Sequence, residues 1–251
     1  MGNIRILMLG GTTEASALAR ALAAHPGYDV LLSLAGRTEK PSPQPVPTRI
    51  GGFGGADGLA AFLRQGQFDL LVDATHPFAA RMSQNATEAV AKTGIPAFCL
   101  RRAPWIAQQG DNWRHVASIQ DAVAALGRSH RRVFLAIGRQ EAYRAETAQQ
   151  HFYLIRSVDP VDPQIVLTNA RYILDRGPFD VESETALLQE HRIDAVITKN
   201  SGGAATYAKI AAARALGIEV IMVSRAAAPA MPAVETVEAA LATINHLLPP
   251  G

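Results

Sequence analysis

Short apolar runs alternate with segments of helical periodicity along this chain, a pattern that predicts βα units around a parallel sheet. Residues 4–9 read as a first strand. Ala15, Leu18, Ala19, Leu22 and Ala23 follow at i, i+3, i+4, i+7 and i+8, which puts one apolar stripe on a helix ended by His25-Pro26-Gly27. Strands are predicted at 30–34, 48–50, 70–73 and 97–100, and helices around 59–64 and 79–92. The second half keeps the rhythm, with strands at 133–137, 152–156, 195–198 and 219–223 and helices at 182–190, 204–216 and 234–247. Prolines at 41, 43, 45 and 47 favour an extended surface segment.

No repeat of fixed period is visible. The expected fold is α/β: two Rossmann-like lobes with parallel sheets and a cleft between them. The boundary falls near residue 98, with an N-terminal lobe over 1–98 and a C-terminal lobe over 99–251. In such lobes ligands gather at the carboxyl ends of the strands.

Composition narrows the classes. Of 251 residues, 48% are hydrophobic and 18% charged, so a core can form and disorder is excluded. No apolar run approaches the ~18 residues of a membrane helix. The apolar stretch at 6–9 is too short for a signal sequence, and a single cysteine, Cys99, fits a reducing cytoplasm. The net charge of +2 hides an asymmetry: residues 99–156 hold 9 basic side chains against 4 acidic, and include Arg101-Arg102 and Arg131-Arg132. This is either a solvated surface or a site for an anionic small molecule. Nucleic acid is disfavoured, because no Lys-rich run or aromatic stripe accompanies the charge. No histidine spacing suits a metal, so none is expected.

Candidate chemistry lies where predicted strands end. Gly10-Gly11-Thr12-Thr13-Glu14-Ala15 joins a strand to a helix. Glycines permit close backbone approach to a phosphate, and the helix offers unpaired N–H groups. The same residues also serve a plain glycine turn before a capped helix. Gly36, Arg37 and Thr38 follow the second strand, where an acid marks NAD and a cation NADP. Gly51-Gly52-Phe53-Gly54-Gly55 could hug a flat ligand or simply turn. Asp73-Ala74-Thr75-His76-Pro77-Phe78-Ala79 ends the fourth strand, where His76 could donate a proton or be structural. Later come Leu174-Asp175-Arg176-Gly177-Pro178-Phe179 and Thr198-Lys199-Asn200-Ser201-Gly202-Gly203. Lys199 is one of four lysines against twenty arginines, and is a plausible anion clamp.

Five of these segments, at 10–15, 51–55, 73–79, 174–179 and 198–203, in this order, resemble the precorrin-6A reductase family of cobalamin biosynthesis. The resemblance implies NADPH-dependent reduction of one double bond of an anionic tetrapyrrole, without metal or flavin. It implies that Gly10, Gly11, Thr12 and Thr13 cradle the pyrophosphate. Gly36, Arg37 and Thr38 would meet the 2′-phosphate, and Gly52, Phe53, Thr75, His76 and Pro77 would line the cofactor channel. Asn200, Ser201 and Gly202 would face the cofactor from the second lobe, with Arg139, Arg176 and Lys199 on substrate carboxylates. Lys199, Asp175 and His76 are the implied catalytic candidates. A cytoplasmic, monomeric enzyme without membrane or nucleic-acid partners is expected. Rival readings are another NAD(P)-dependent reductase on this scaffold, an S-adenosylmethionine methyltransferase and a dinucleotide-binding redox sensor. The lack of an acid after the second strand argues against the methyltransferase.

Overall fold

The computed structural model describes residues 3–36, 41–161, 165–227 and 230–248. Strand β1 (Ile4–Leu9) is fully apolar from Ile6 onward and buried on both faces, as a central parallel strand must be. Helix α1 (Thr13–Ala23) buries the predicted stripe of Ala15, Leu18, Ala19 and Leu22. There follow β2 (Tyr28–Leu34), β3 (Thr48–Ile50), α2 (Ala56–Gln65), β4 (Leu70–Asp73), α3 (Ala80–Thr93) and β5 (Ala97–Leu100). The next elements are β6 (Trp113–Val116), α4 (Ile119–Ala125), β7 (Arg132–Ala136), a 3₁₀ stretch at Arg139–Ala148, β8 (Phe152–Ser157) and β9 (Ala170–Leu174). Then come α5 (Val181–Glu190), β10 (Ala195–Lys199), α6 (Ala208–Ala215), β11 (Glu219–Val223), β12 (Ala233–Val234) and α7 (Val237–Leu247).

Two sheets of six strands result, in the orders β3-β2-β1-β4-β5-β12 and β9-β8-β7-β10-β11-β6, and every pairing is parallel. The α/β class and the two parallel sheets agree with the sequence reading. No helix among the described residues is long and apolar enough to cross a membrane.

The division of the chain differs from a single cut near residue 98. One unit comprises Met1–Ala103 with Ala227–Gly251, the other Pro104–Ala226. The C-terminal segment therefore returns to the first unit instead of closing the second. Three contacts explain this. Strand β12 pairs with β5 at Cys99 and Leu100. Ala240 and Ile244 of α7 are fully buried in one cluster with Leu18 and Leu22 of α1. The Tyr28 hydroxyl donates to Asn245 Oδ1 at 2.6 Å. The apolar stripe of α7 demanded a core, but a linear pattern does not say which one.

Candidate functional site

In the first unit the chain leaves β1 and β4, neighbours in the sheet, toward opposite edges; the crevice at such a switch point is where α/β sheets bind ligands. The Gly10 N–H donates to Ser33 O at 2.9 Å, so the turn is fastened to β2 as it begins. A side chain at Gly10 would place its Cβ 2.6 Å from Leu32 Cδ1. Gly11 has φ +117°, and a Cβ there would meet nothing within 4 Å. The backbone is thus bent by glycine and open on its outer side. Thr12 caps α1: its Oγ1 accepts from Ala15 N–H at 3.1 Å and donates to Ala74 O at 2.9 Å. That second bond ties the glycine turn to the loop after β4. Thr13 donates to Glu14 Oε2 at 3.0 Å. Glu14, whose charge would repel a phosphate, is held by Arg102 at 2.6 Å.

The loop after β4 is organised by a buried carboxylate. Asp73 accepts from Thr75 N–H (3.1 Å), Thr75 Oγ1–H (2.6 Å) and Ser83 Oγ–H (2.5 Å). Arg101 donates to the same Ser83 Oγ at 3.1 Å. Beneath it, burial and then the Asp73 charge push the Cys99 thiol up to about 12, so it is a neutral packing group. His76 Nδ1 accepts from Phe78 N–H at 3.3 Å, which leaves Nε2 to carry the proton of the neutral ring. Thr12, Glu14, Thr75, Pro77, Leu100, Arg101 and Arg102 line one shallow cleft. At the far side of the unit Arg49 sits over the Phe53 ring, 4.0 Å from its centroid.

The second unit has its own switch point between β7 and β10. Lys199 ends β10, and its Nζ lies 3.3 Å from Glu141 Oε1. Asn200 is buried and its carboxamide grips the Trp105 backbone, accepting from N–H at 2.7 Å and donating to O at 2.9 Å. Arg225 donates to Asn200 O (2.8 Å) and Ser201 O (2.9 Å), and the indole N–H of Trp105 to Gly203 O (2.8 Å). The loop at 198–203 is thereby fixed from two sides, and Asn200 spends both ends of its side chain on holding it. Arg139 donates to Pro160 O at 3.3 Å. Asp175 and Arg176 are exposed at the end of β9, three strands from β10, or about 14 Å at ~4.8 Å per strand. Phe179 of the same turn lies under Arg156, which is held in turn by a buried bidentate pair with Glu184 at 2.5 and 2.8 Å.

Within the first unit, then, Thr12, Thr75 and Pro77 meet in one cleft, with Gly10, Gly11 and Thr13 in its glycine turn. Gly36, Gly52 and Phe53 lie toward the β2–β3 edge, and His76 adjoins the cleft. Arg37 and Thr38 lie outside the described residues. Within the second unit Lys199, Asn200, Ser201 and Gly202 form one loop. Sequence reasoning missed Arg49, Trp105 and Arg225. It noted Arg101-Arg102 only as charge; their position just past β5 was the available signal. Among the described residues no group of three His, Cys, Asp or Glu could hold a metal ion.

A family model described as "Precorrin-6x reductase CbiJ/CobK" matches residues 5–245. A precorrin-6A reductase of Sinorhizobium sp is 58% identical over 247 residues, covering 98% of this chain and 95% of that protein. One from Rhodobacter capsulatus is 50% identical over 234 residues, 93% of each chain. The solved structure of a CobK precorrin-6A reductase superposes with TM-score 0.93 at 48% identity, covering 98% of this chain and 97% of that one. With a match that runs through both sheets and all five of the loops singled out above, the chain belongs to the precorrin-6x reductase family.

Proposed function

We propose that this protein reduces one double bond of precorrin-6A to give precorrin-6B, with NADPH as the reductant, as a cytoplasmic enzyme working as a single chain. The observation that carries the cofactor assignment is the Thr12 hydroxyl. It caps α1 and bonds Ala74 O, so one side chain fixes the glycine turn against the loop after β4. The residues fit a dinucleotide: Gly11 is open on its outer side, the α1 N-terminus presents N–H groups and a partial positive charge, and Glu14 is neutralised by Arg102. NADPH bound there supplies a hydride to one ring carbon, while the neighbouring carbon takes a proton.

The chain's own residues hold and orient. Gly11, Thr12 and Thr13 hold the pyrophosphate through their N–H groups, and Gly10, its own N–H fastened to Ser33 O, lets the turn approach it closely. Gly36, Arg37 and Thr38 are assigned by sequence to the 2′-phosphate of the adenine ribose, and Gly52, Phe53, Thr75, His76 and Pro77 to the rest of the channel. In the second unit Lys199, Arg139 and Arg176 take substrate carboxylates, because charged N–H donors bind them strongly and directionally. Asn200, Ser201 and Gly202 keep that loop in shape. Lys199, Asp175 and His76 are the proton donors to test.

Anaerobic incubation with NADPH and precorrin-6A, following the absorbance of both, tests the proposal; macrocycle-dependent NADPH consumption is expected. Tight NADPH binding with no oxidation by any tetrapyrrole would favour the sensor reading instead. Lys199→Ala should raise KM and leave kcat within a few-fold. An unchanged KM with a large fall in kcat would move Lys199 from substrate binding to proton transfer.

A further inference from the structure

Two arginines near the ends of the first unit's strands spend their charge on a carboxylate: Arg5 on Asp29, Arg102 on Glu14. Arg49 does not. It is the middle residue of β3 and lies in register with Ser33 of β2, whose carbonyl receives the Gly10 N–H. Its Nη1 donates to Ser33 Oγ (2.8 Å) and Gly51 O (3.0 Å), and its Nη2 to Gly52 O (3.1 Å). All three acceptors are neutral. The cation also stands over two rings, 4.0 Å from the Phe53 centroid and 5.1 Å from that of Phe62. A guanidinium carries five N–H groups, so three bonds leave two without a protein acceptor among the described residues.

We propose that Arg49 is a further specificity-determining residue, which receives the 2′-phosphate of the adenine ribose beside the segment 36–38 that the sequence assigns to it, and so selects NADPH over NADH. This rests on the dinucleotide reading above and deepens it. Place, charge and rigidity all favour this role for Arg49. In a sheet of this strand order the adenine ribose lies beyond the end of β2, where an acid would bind a 2′-hydroxyl. The end of β2 here reads Ser33-Leu34-Ala35-Gly36 and holds no acid. Arg49 brings an uncompensated cation to that edge, one strand over and fastened to Ser33. Because Phe53, Gly51 and Gly52 already fix the guanidinium, little side-chain freedom is lost when it meets a dianion. The glycine-rich segment at 51–55 thereby gains a purpose beyond a turn: two of its carbonyls and its one ring aim the arginine.

Calorimetric titration with NADP⁺ and with NAD⁺ tests this on the wild-type chain, Arg49→Gln and Arg49→Lys. Arg49→Gln should lose about 10- to 100-fold in NADP⁺ affinity, the range for a charge-assisted pair, and keep NAD⁺ affinity within about two-fold. Arg49→Lys should fall between, because it keeps the charge and loses the planar fork. Adenosine 2′,5′-bisphosphate should show the same loss as NADP⁺, which locates the effect at the phosphate. A wild-type preference for NADP⁺ that survives in Arg49→Gln overturns the proposal alone. So does an equal loss of both cofactors, which would mark Arg49 as merely structural. A wild-type chain that binds neither dinucleotide overturns the parent reading, and this one with it.

Discussion

In the first unit the chain leaves its central strand β1 through a glycine turn into an α-helix capped by Thr12. In the second it leaves the equivalent strand β7 through Gly138 into ten residues of 3₁₀ helix, with no side-chain cap. The strand order around the two strands is the same. The difference lies in the helical residues themselves. Ala142, Ala145 and Ala148 are the buried positions of the 3₁₀ stretch, a spacing of three that matches three residues per turn. The α1 stripe of Ala15, Leu18, Ala19 and Leu22 has the wider α period. An aligned α-helix N-terminus suits a diphosphate. The second switch point offers side-chain cations instead, Lys199 and Arg139, which suit carboxylates. On the proposed function, one topology thus serves two kinds of anion, one held by backbone and one by side chains.

The largest expected break falls in the second unit. Arg156 and Glu184 are both buried, and Arg156 stands 3.7 Å from the Phe179 centroid. Glu184→Ala leaves that guanidinium buried without its partner and should cost about 3–5 kcal/mol. Both tryptophans, Trp105 and Trp113, lie in this unit, so urea unfolding followed by their fluorescence reads it directly. A loss below about 1 kcal/mol would show that the pair does not anchor the 174–179 turn.

The first unit has a matching weak point of a different kind, made by backbone. Gly58 sits inside α2, where glycine costs about 1 kcal/mol against alanine. The reason it is there is Phe53: a Cβ at Gly58 would stand 1.6 Å from the Phe53 carbonyl oxygen. Gly58→Ala should therefore destabilise by about 2–3 kcal/mol despite the better helix propensity, and should shift Phe53 under Arg49. Far-UV circular dichroism during denaturation measures the first effect. A stabilised Gly58→Ala variant would refute the close approach.

What could be read in advance follows the same division. Strands buried on both faces were legible: 4–9, 70–73, 97–100 and 219–223 agree in both bounds with β1, β4, β5 and β11. Of the four edge strands β6, β9 and β12 were not, because a strand with one neighbour needs no apolar run and β9 is largely exposed; the exposed edge strand β3, found at 48–50, is the exception. The 3₁₀ stretch escaped a search made at helical and strand periods. The loops of the site were legible because they sit between strand and helix. Their supports were not: Glu14 meets Arg102 across 88 residues of sequence and Trp105 meets Asn200 across 95. Pairing at that distance is a property of the fold and leaves no local mark.

The Glu14–Arg102 pair gives a smaller and sharper test of the backbone anion surface. Both side chains are mostly buried, 22% and 15% exposed, at the first turn of α1. Arg102→Ala frees a negative charge beside the glycine turn proposed for the pyrophosphate and should weaken NADPH binding about tenfold, roughly 1.4 kcal/mol. Glu14→Gln in that background should restore most of it, since the unpaired charge is then gone. Fluorescence titration of the single and double variants measures both. If the double variant binds no better than Arg102→Ala, then Arg102 acts on the ligand itself and not through Glu14.

The smallest expected effect separates the units by pH. Among the described residues buried histidines occur only in the second unit, and His151 is 1% exposed. The Arg131 N–H donates to its Nδ1 at 3.1 Å, and Gln150 Nε2 lies 3.2 Å from its Nε2. Burial is the main reason its pKa falls below the ordinary 6.5, with the positive charges of His130 and Arg131 adding to it and the Gly127 backbone and Asp194 opposing. The unfolded chain therefore takes up a proton below pH 6.5 that the folded chain still refuses. Stability is lost as pH falls from there toward the depressed folded pKa, by at most about 1.4 kcal/mol per pH unit. His151→Gln retains an acceptor for the Arg131 N–H and cannot titrate, so its urea midpoint should fall less steeply over that window. Parallel wild-type and His151→Gln curves would mean that the ring charges inside the fold, and that this part of the second unit opens to water more readily than the first.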